Sequence, residues 1–306
     1  MKLKTPRLSV VIPSYRQSST VQALLESLAL QDHPDFEVIV VDSSADETTE
    51  IIRNYLNNSS LDASLITLAE KSSAGRQRSV GIERARAPWI FTTDTDCVLP
   101  KHHLSSMMKK LEEIGSLEST VLGGSIINGT LHSAFGSASY WTEFSDFSPT
   151  RPHRENIFVP SANLLFSRHF AQLHGGFADM RVSDDLYTLT LWLRNGAKIH
   201  FVPELGVIHN NRTQALRALK HQFLLGQDAA HVRLLVGGKG AWLLRTWPLW
   251  PALPFWRLFR VSVRVLAKAT MRERVLYLAY LPANFLTLVV WSAGFVSRAA
   301  RKLRRF

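Results

Sequence analysis

The chain has 306 residues, of which 46% are hydrophobic and 20% are charged, a composition typical of a globular protein with an ample core. The single cysteine, Cys97, excludes an internal disulfide framework and fits a reducing compartment. The net charge of +11 lies in the tail, since residues 237–306 hold thirteen Lys and Arg against one acid and residues 1–236 are almost neutral.

Residues 1–100 alternate between apolar strands and amphipathic helices. Strands are predicted at residues 8–12, 36–41, 64–68 and 89–93, and helices at 20–30, 46–56 and 74–85. The strands are continuous apolar runs rather than alternating ones, which indicates a parallel sheet covered on both faces. This pattern predicts half of a doubly wound α/β domain.

Residues 101–200 are less regular, and a long helix follows them. Helices are predicted at residues 102–113, 168–173, 184–194 and 213–235, and strands at 121–128, 158–166, 199–203 and 207–208. Residues 133–156 are rich in Ser, Phe and Pro with little periodicity, which predicts a long surface loop. Ser183 is predicted to cap the helix that begins at Asp184.

The tail from residue 237 onward holds five of the eight tryptophans. Residues 242–259 mix Trp, Pro and Arg, which is typical of a membrane-interface segment. Residues 275–296 carry no charge, a length sufficient to cross a bilayer, and five cations follow in 298–305. A re-entrant or membrane-lying hairpin, two short spans and a buried core hairpin are all open. The basic, Trp-rich composition favours an anionic membrane surface over nucleic acid as partner.

The segment Asp94-Thr95-Asp96 directly follows the fourth predicted strand. Carboxylates at i and i+2 of a strand point the same way, so one hard cation would bridge them to a phosphorylated ligand. A bare D-x-D is common in solvated turns, but this one ends a buried strand, where open α/β sheets bind ligands. The adjacent Cys97 is interpreted as a small buried apolar residue.

Several motifs together resemble the inverting family-2 glycosyltransferases, over about residues 7–236. The opening V-V-I-P-S-Y resembles the first strand and turn of that family and places Pro13 and Tyr15 among the predicted donor-binding residues. The segment V-V-D-S-S resembles its acidic turn, which implies that Asp42 binds the nucleobase. In G-R-Q-R-S-V-G, Arg78 matches the arginine that reaches the nucleotide, where its fork suits a phosphate.

The resemblance extends to the metal and acceptor sites. It implies that Asp94 lies near the ribose and that Asp96 binds Mg²⁺ or Mn²⁺. The order N-L-L-F, G-G-F and S-D-D resembles the acceptor half, with Asp185 as general base and Asp184 beside it. His209 follows a predicted strand, and it is either a metal ligand near the diphosphate or a half-buried strand histidine.

The implied fold is an α/β GT-A-type, Rossmann-like mixed sheet flanked by helices, with a C-terminal helical, membrane-associated segment. The predicted domains are residues 1–236, with a nucleotide-sugar half at 1–100 and an acceptor half at 101–236, and the tail at 237–306. Leu225 and Gly226 stand where the processive synthases have Arg and Trp, which favours transfer of one sugar per encounter.

The implied activity is metal-dependent, inverting transfer of a sugar from a nucleoside-diphosphate sugar to an acceptor hydroxyl. The tail suggests a lipid-linked saccharide or glycolipid as acceptor, at the cytoplasmic face of the cell membrane. Two alternatives are open. A nucleotidyltransferase would normally carry a glycine-rich loop after the first strand, and residues 13–18 contain no glycine. A non-catalytic membrane-bound sugar-nucleotide-binding protein would not need Asp94, Asp96 and Asp185.

Overall fold

A computed structural model describes residues 5–237 and 240–303. This part of the chain divides into two compact units. The first runs to Ile127 and resumes over Pro152–His209, and the second comprises Asn128–Arg151 and the described chain from Asn210 onward. The domain boundary predicted between residues 236 and 237 falls within the second unit. That residues 1–236 carry catalysis and residues 237–306 bind a membrane stays a prediction.

The first unit is built on a mixed sheet. Its described strands are β1 (Leu8–Ser14), β2 (Phe36–Asp42), β3 (Ala63–Thr67), β4 (Trp89–Thr93), β5 (Cys97–Val98), β6 (Thr120–Asn128), β7 (Arg154–Glu155), β8 (Asn163–Ser167) and β9 (Lys198–His209). They are ordered β3-β2-β1-β4-β8-β6-β9-β5, with β7 beside β9. Strands β1 to β4 are parallel, whereas β8 is antiparallel to β4 and β5 is antiparallel to β9. The predicted mixed α/β fold is confirmed.

Helices of the first unit flank this sheet, and the second unit consists mainly of other helices. The described helices are α1 (Val21–Ala29), α2 (Thr48–Asn57), α3 (Ala74–Arg84), α4 (His103–Ile114), α5 (Ala134–Phe144), α6 (Arg168–Leu173), α7 (Asp184–Arg194), α8 (Ala215–Val236), α9 (Leu253–Lys268), α10 (Met271–Ala279) and α11 (Leu281–Leu303), with 3₁₀ turns at Ala241–Leu244 and Trp247–Ala252. Every residue of β1 is buried, as its continuous apolar run predicts. Helix α3 lies close against β1, because a Cβ on Gly81 would be only 2.4 Å from a methyl of Val11.

The prediction of a surface loop over residues 133–156 is wrong. Helix α5 occupies Ala134–Phe144, and the Ser133 hydroxyl accepts the Gly136 N–H at 3.1 Å as its cap. The buried side chains of this helix follow one another from Gly136 to Trp141 without a break. A helix buried on most sides lacks the polar face that produces a period of 3.6 residues, so the pattern gave no signal.

The two short strands predicted near residues 199–208 are one continuous strand, β9. The sequence analysis placed a gap between these strands at residues 204–206. Side-chain donors hold this stretch instead. The Ser125 hydroxyl donates to the Pro203 carbonyl at 2.8 Å, and the Asn163 amide donates to the Leu205 carbonyl at 2.8 Å. The strand predicted at residues 158–166 is shorter and begins at Asn163.

The second unit packs α8 closely against α11 at two glycines. A Cβ on Gly226 would lie 2.0 Å from the Trp291 carbonyl oxygen, and one on Gly294 would lie 2.1 Å from the Phe223 carbonyl oxygen. Only glycine permits such approach of two helix backbones. The departure at Gly226 from the processive-synthase pattern therefore has a packing reason in this chain.

The uncharged stretch predicted at residues 275–296 is two helices rather than one, since α10 ends at Ala279 and α11 begins at Leu281. Among the described helices, none alone has the length and apolar character of a membrane span, and α10 with α11 meets that criterion only as a pair bent by 69°. Membrane association of the tail stays a prediction, and its residues 238, 239 and 304–306 lie outside the described chain.

Candidate active site

The chain turns sharply where β4 ends. The Cys97 N–H donates to the Asp94 carbonyl at 3.0 Å, so Asp94 and Asp96 belong to a turn rather than to an extended strand. The premise that both carboxylates point the same way, as on a strand, is therefore wrong. Asp94 is half-buried and faces Arg78, whereas Asp96 is buried and faces His209.

Arg78 on α3 is the centre of a buried ion network. Its Nη1 donates to Asp184 Oδ2 at 2.6 Å and its Nη2 donates to Asp94 Oδ1 at 2.5 Å. Burial alone would lower the pKa of Arg78, but the carboxylates of Asp184 and Asp94 outweigh it and raise that pKa above its usual value. The Arg78 guanidinium, which was predicted to bind a phosphate of the donor, is thus hydrogen-bonded to two carboxylates in this structure. Binding of the donor by Arg78 stays a prediction.

Asp185 follows at the start of α7 and is held by backbone donors. Its Oδ2 accepts the Ser161 N–H at 3.1 Å, and its Oδ1 accepts the Leu186 N–H at 2.7 Å. Burial, and then the negative charge of Asp184, raise the pKa of Asp185 to about 7, against the opposing charge of Arg78. A carboxylate that titrates near neutral pH can both hold and release a proton under working conditions.

The residue before this pair adopts an unusual backbone conformation. Ser183 has φ of 60° and ψ of 21°, in the left-handed region, and its side chain makes no capping hydrogen bond. The prediction that Ser183 caps α7 is therefore wrong, because a capping residue normally has an extended backbone that directs its hydroxyl at the first free N–H groups. The acids in the first turn still suit the positive end of the helix.

A second group of side chains lies where β5 pairs with β9. One ligand atom from each of Asp96, Cys97 and His209 lies within 4.8 Å of the others, and His209 Nε2 is 3.4 Å from Asp96 Oδ1. That Asp96 oxygen is buried and accepts no hydrogen bond from the described residues. A carboxylate oxygen beside an imidazole nitrogen fits Mg²⁺ or Mn²⁺.

Two other residues near this candidate cation site, Cys97 and Asp94, are not suited to act as ligands there. Burial raises the pKa of the Cys97 thiol well above its usual value, and sulfur is a soft ligand, so this thiol is poorly suited to Mg²⁺ or Mn²⁺. Asp94, predicted as a metal ligand, is not part of the three-residue group and binds Arg78 instead. The structure thus brings together two of the three predicted metal ligands, Asp96 and His209.

Three of the predicted donor-binding residues, Pro13, Tyr15 and Asp42, lie at the adjacent ends of β1 and β2, where Ser14 pairs with Asp42. Asp42 is buried, and its two oxygens accept the hydroxyls of Ser44 and Thr49, each at 2.6 Å. Pro13 is buried. Tyr15 is half-buried, with the Lys71 ammonium 4.6 Å from its ring centroid. Their roles stay predictions.

The sequence analysis assigned no individual role to three residues that organise the site. Ser161 donates to Asp185, and Phe177 lies under the Arg78 guanidinium at 5.5 Å. Gln77 is buried and donates to both the Ser14 carbonyl and the Ser43 hydroxyl at 2.8 Å, which ties α3 to the ends of β1 and β2. The only signal in the sequence was position: Gln77 adjoins Arg78, and Ser161 lies within the strand predicted at residues 158–166.

The family model and the relatives that match this chain are all glycosyltransferases. The model of the glycosyl transferase family 2 matches residues 9–160. The chain is 32% identical over 110 residues to the poly(ribitol-phosphate) beta-N-acetylglucosaminyltransferase TarS of Staphylococcus aureus, which is 35% of this chain and 19% of that protein. It is 26% identical over 109 residues to the GalNAc(5)-diNAcBac-PP-undecaprenol beta-1,3-glucosyltransferase of Campylobacter jejuni, 35% of each. The alignments span a third or less of the first curated relatives.

Solved structures share the fold over nearly the whole chain. The mannosyltransferase PcManGT of Pyrobaculum calidifontis, in complex with GDP-Man and Mn²⁺, superimposes with a TM-score of 0.62 at 19% identity, over 97% of this chain and 87% of that one. Residues 1–349 of S. aureus TarS, in complex with UDP-GlcNAc, give a TM-score of 0.55 at 18% identity, over 97% and 92%.

Proposed function

Because the chain belongs to glycosyl transferase family 2, we propose that it transfers a sugar from a nucleoside-diphosphate sugar to a hydroxyl of a carbohydrate or lipid-linked acceptor, with inversion at the anomeric carbon. The observation that carries this proposal is the position of the Asp185 carboxylate, which accepts the Ser161 and Leu186 N–H groups beside the Arg78–Asp184 ion pair and whose pKa is raised by burial and by the charge of Asp184. This carboxylate is a base matched to the proton of an acceptor hydroxyl at neutral pH.

In the proposed reaction, Asp185 takes the proton of the acceptor hydroxyl. The acceptor oxygen forms a bond to the anomeric carbon as the bond from that carbon to the diphosphate breaks, so the nucleoside diphosphate leaves with the electron pair. Arg78 donates to Asp184 at 2.6 Å and favours its ionised form, while the charge of Asp184 raises the pKa of Asp185. Asp185 is then the member of the acidic pair that exchanges a proton.

We further propose that Asp96 and His209 hold a divalent cation, Mg²⁺ or Mn²⁺. When bound, the cation would supply positive charge to the departing diphosphate. The unbonded Asp96 oxygen beside the His209 ring supports this assignment, and the Mn²⁺ named with the P. calidifontis structure is consistent with it. Asp42, Pro13 and Tyr15 would hold the nucleoside, and Asp94 the ribose.

The acceptor proposal is supported by relatives whose names include a poly(ribitol phosphate) and an undecaprenyl diphosphate. The basic, Trp-rich tail supports action at an anionic membrane surface, and an almost neutral body with one cysteine supports the cytoplasmic face. Gly226, in place of the processive pattern, supports transfer of one sugar per encounter.

The experiment is a donor screen with UDP- and GDP-sugars in Mn²⁺, followed by two variants. We expect Asp96→Ala to lose metal-dependent donor use. We expect Asp185→Ala to lower kcat by about 10² to 10⁴ while donor binding stays unchanged. Glu83→Ala, which changes an exposed acid on α3, is the matched control. Unchanged transfer in both site variants would reject the assignment, and retention of anomeric configuration in the product would reject inversion.

A further inference from the structure

The second unit holds a group of arginines that the proposed transfer does not use. Arg257, Arg260 and Arg264 lie on α9 at spacings of three and four, so they share one side of that helix. Arg233 on α8 is near enough for its charge to act on Arg257. These four residues are the arginine cluster.

Arg257 is the fixed member of the cluster. Its guanidinium carbon lies 3.6 Å from the centroid of the Trp291 ring, and Trp291 belongs to the apolar core of the second unit. The Arg257 Nε is buried and donates to no acceptor among the described residues. Stacking fixes the plane of the guanidinium, and a planar fork held in place is suited to bidentate recognition of an anion.

Arg257 lies beside the positive charges of the three other arginines of the cluster. Burial, and then the charges of Arg233, Arg264 and Arg260, lower the pKa of Arg257 to about 9. Arg264 Nη2 pairs with Asp146 Oδ2 at 2.5 Å, whereas no carboxylate of the described chain forms an ion pair with Arg257. A bound anion would relieve this repulsion, because an opposite charge stabilises the protonated form of each arginine.

The same helix exposes apolar side chains beside the cations. Phe255, Trp256 and Phe259 are each more than half exposed, and Trp256 stacks on Phe259 with a centroid distance of 6.0 Å. Val263 is also half exposed. A phosphate in water would gain nothing from these side chains, whereas a phosphate at a membrane surface lies next to acyl chains that they can enter.

We propose that the arginine cluster binds the phosphate of an anionic membrane lipid, with the Arg257 fork as donor and the exposed aromatic side chains of α9 in the lipid interface. This inference deepens the membrane association in the proposed function and rests on it. The test of lipid binding uses neither donor nor acceptor. Lipid binding can therefore be absent in a protein that transfers sugar, and it can be present in a protein that does not.

The test is co-sedimentation of the full chain with vesicles of phosphatidylcholine alone or with 30% phosphatidylglycerol. We expect binding only to the anionic vesicles. We expect Arg257→Gln to weaken that binding at least about twentyfold, because both a charge and a forked hydrogen bond are lost. Lys268→Gln, which removes an exposed charge at the end of the same helix, should weaken it about fivefold or less.

Three further measurements complete the design. Arg260→Gln changes an exposed residue, so it should fold normally and also weaken binding more than Lys268→Gln. Circular dichroism and thermal melting check that Arg257→Gln is folded. Inorganic phosphate is added alone at millimolar concentration, and we expect it to compete with vesicles only weakly.

Equal losses in Arg257→Gln, Arg260→Gln and Lys268→Gln would reduce the cluster to general surface charge and overturn the proposal. Equal binding to both kinds of vesicle would also overturn it. Full displacement by inorganic phosphate would assign the cluster to a soluble anion and reject the lipid source.

Discussion

Arg78 and Asp184 form a buried ion pair, with 2.6 Å between Nη1 and Oδ2, although they are 106 positions apart in the chain. The same guanidinium reaches Asp94 at the end of β4. One side chain therefore links the acidic turn after β4 to the first turn of α7, the two segments on which the proposed chemistry depends.

Replacement of Arg78 should destabilise the protein strongly. Arg78→Met leaves the buried Asp184 carboxylate without its partner, and removal of one member of a buried pair costs about 3–5 kcal/mol. Urea unfolding of the wild type and the variant measures this difference. Arg84→Met, at an exposed position of α3, should stay within about 0.5 kcal/mol of the wild type. A loss below about 1 kcal/mol for Arg78→Met would contradict the structural role of the pair.

The stability of the metal-free protein should carry a signature of Asp185. Its pKa of about 7 when folded exceeds the value near 4 expected in the unfolded chain. The folded state thus binds the extra proton, and this contribution to the free energy of unfolding is full below about pH 4 and is lost as pH rises through 7. The buried His103, whose pKa burial lowers to about 4, acts in the opposite direction below pH 6.5.

The measurement that isolates Asp185 is the difference in unfolding free energy between the wild type and Asp185→Asn, because the His103 contribution cancels. We expect this difference to fall steadily between pH 5 and 7.5. A difference that is flat or rises over this range would show that the Asp185 carboxyl group is ionised at low pH in the folded protein.

Manganese binding should distinguish the residues around Asp96. With UDP present, Asp96→Asn should weaken Mn²⁺ binding at least about tenfold, since loss of even an outer-shell partner commonly has that effect. Cys97→Ala should leave the affinity within about threefold, because a soft thiol is a poor ligand for a hard cation. Titration of free Mn²⁺ by electron paramagnetic resonance measures both. A large loss in Cys97→Ala would assign the thiol to the cation.

The contact of α8 with α11 should not tolerate a side chain at Gly226. A Cβ there would lie 2.0 Å from the Trp291 carbonyl oxygen, so Gly226→Ala must push the helices apart and should cost about 1–3 kcal/mol or more. Ala293→Val on the exposed side of α11 adds more volume and should cost below about 1 kcal/mol. Thermal melting that ranks the two variants in the reverse order would contradict the close helix approach.

The features predicted correctly are those that a short segment encodes. Continuous apolar runs revealed the parallel strands, and the acids at 94, 96, 184 and 185 were visible as neighbours in the chain. The relationship between them was not visible, because the fork of Arg78 joins residues from distant segments. The turn closed by the Cys97 N–H, which separates the partners of Asp94 and Asp96, depends on backbone conformation that a D-x-D spacing does not specify.

Helix α5 was missed for a different reason. Its run of Gly, Ser and Ala followed by aromatic residues has weak helix propensity and no polar face, so local signals favoured a loop. Its stability comes from packing, as when Trp141 meets the Tyr277 ring edge-on at 5.0 Å. Tertiary contacts of this kind override propensity.

The pairing of β5 with β9 has a consequence for the alignment of those strands. In the two-residue ladder, Cys97 lies opposite His209 and Val98 lies opposite Ile208. A slip of one position would bring Ile208 opposite Cys97 and turn the imidazole away from Asp96. An ion bound by both Asp96 and His209 would therefore stabilise only this register. Binding of the cation during folding would then favour the native pairing of β5 with β9.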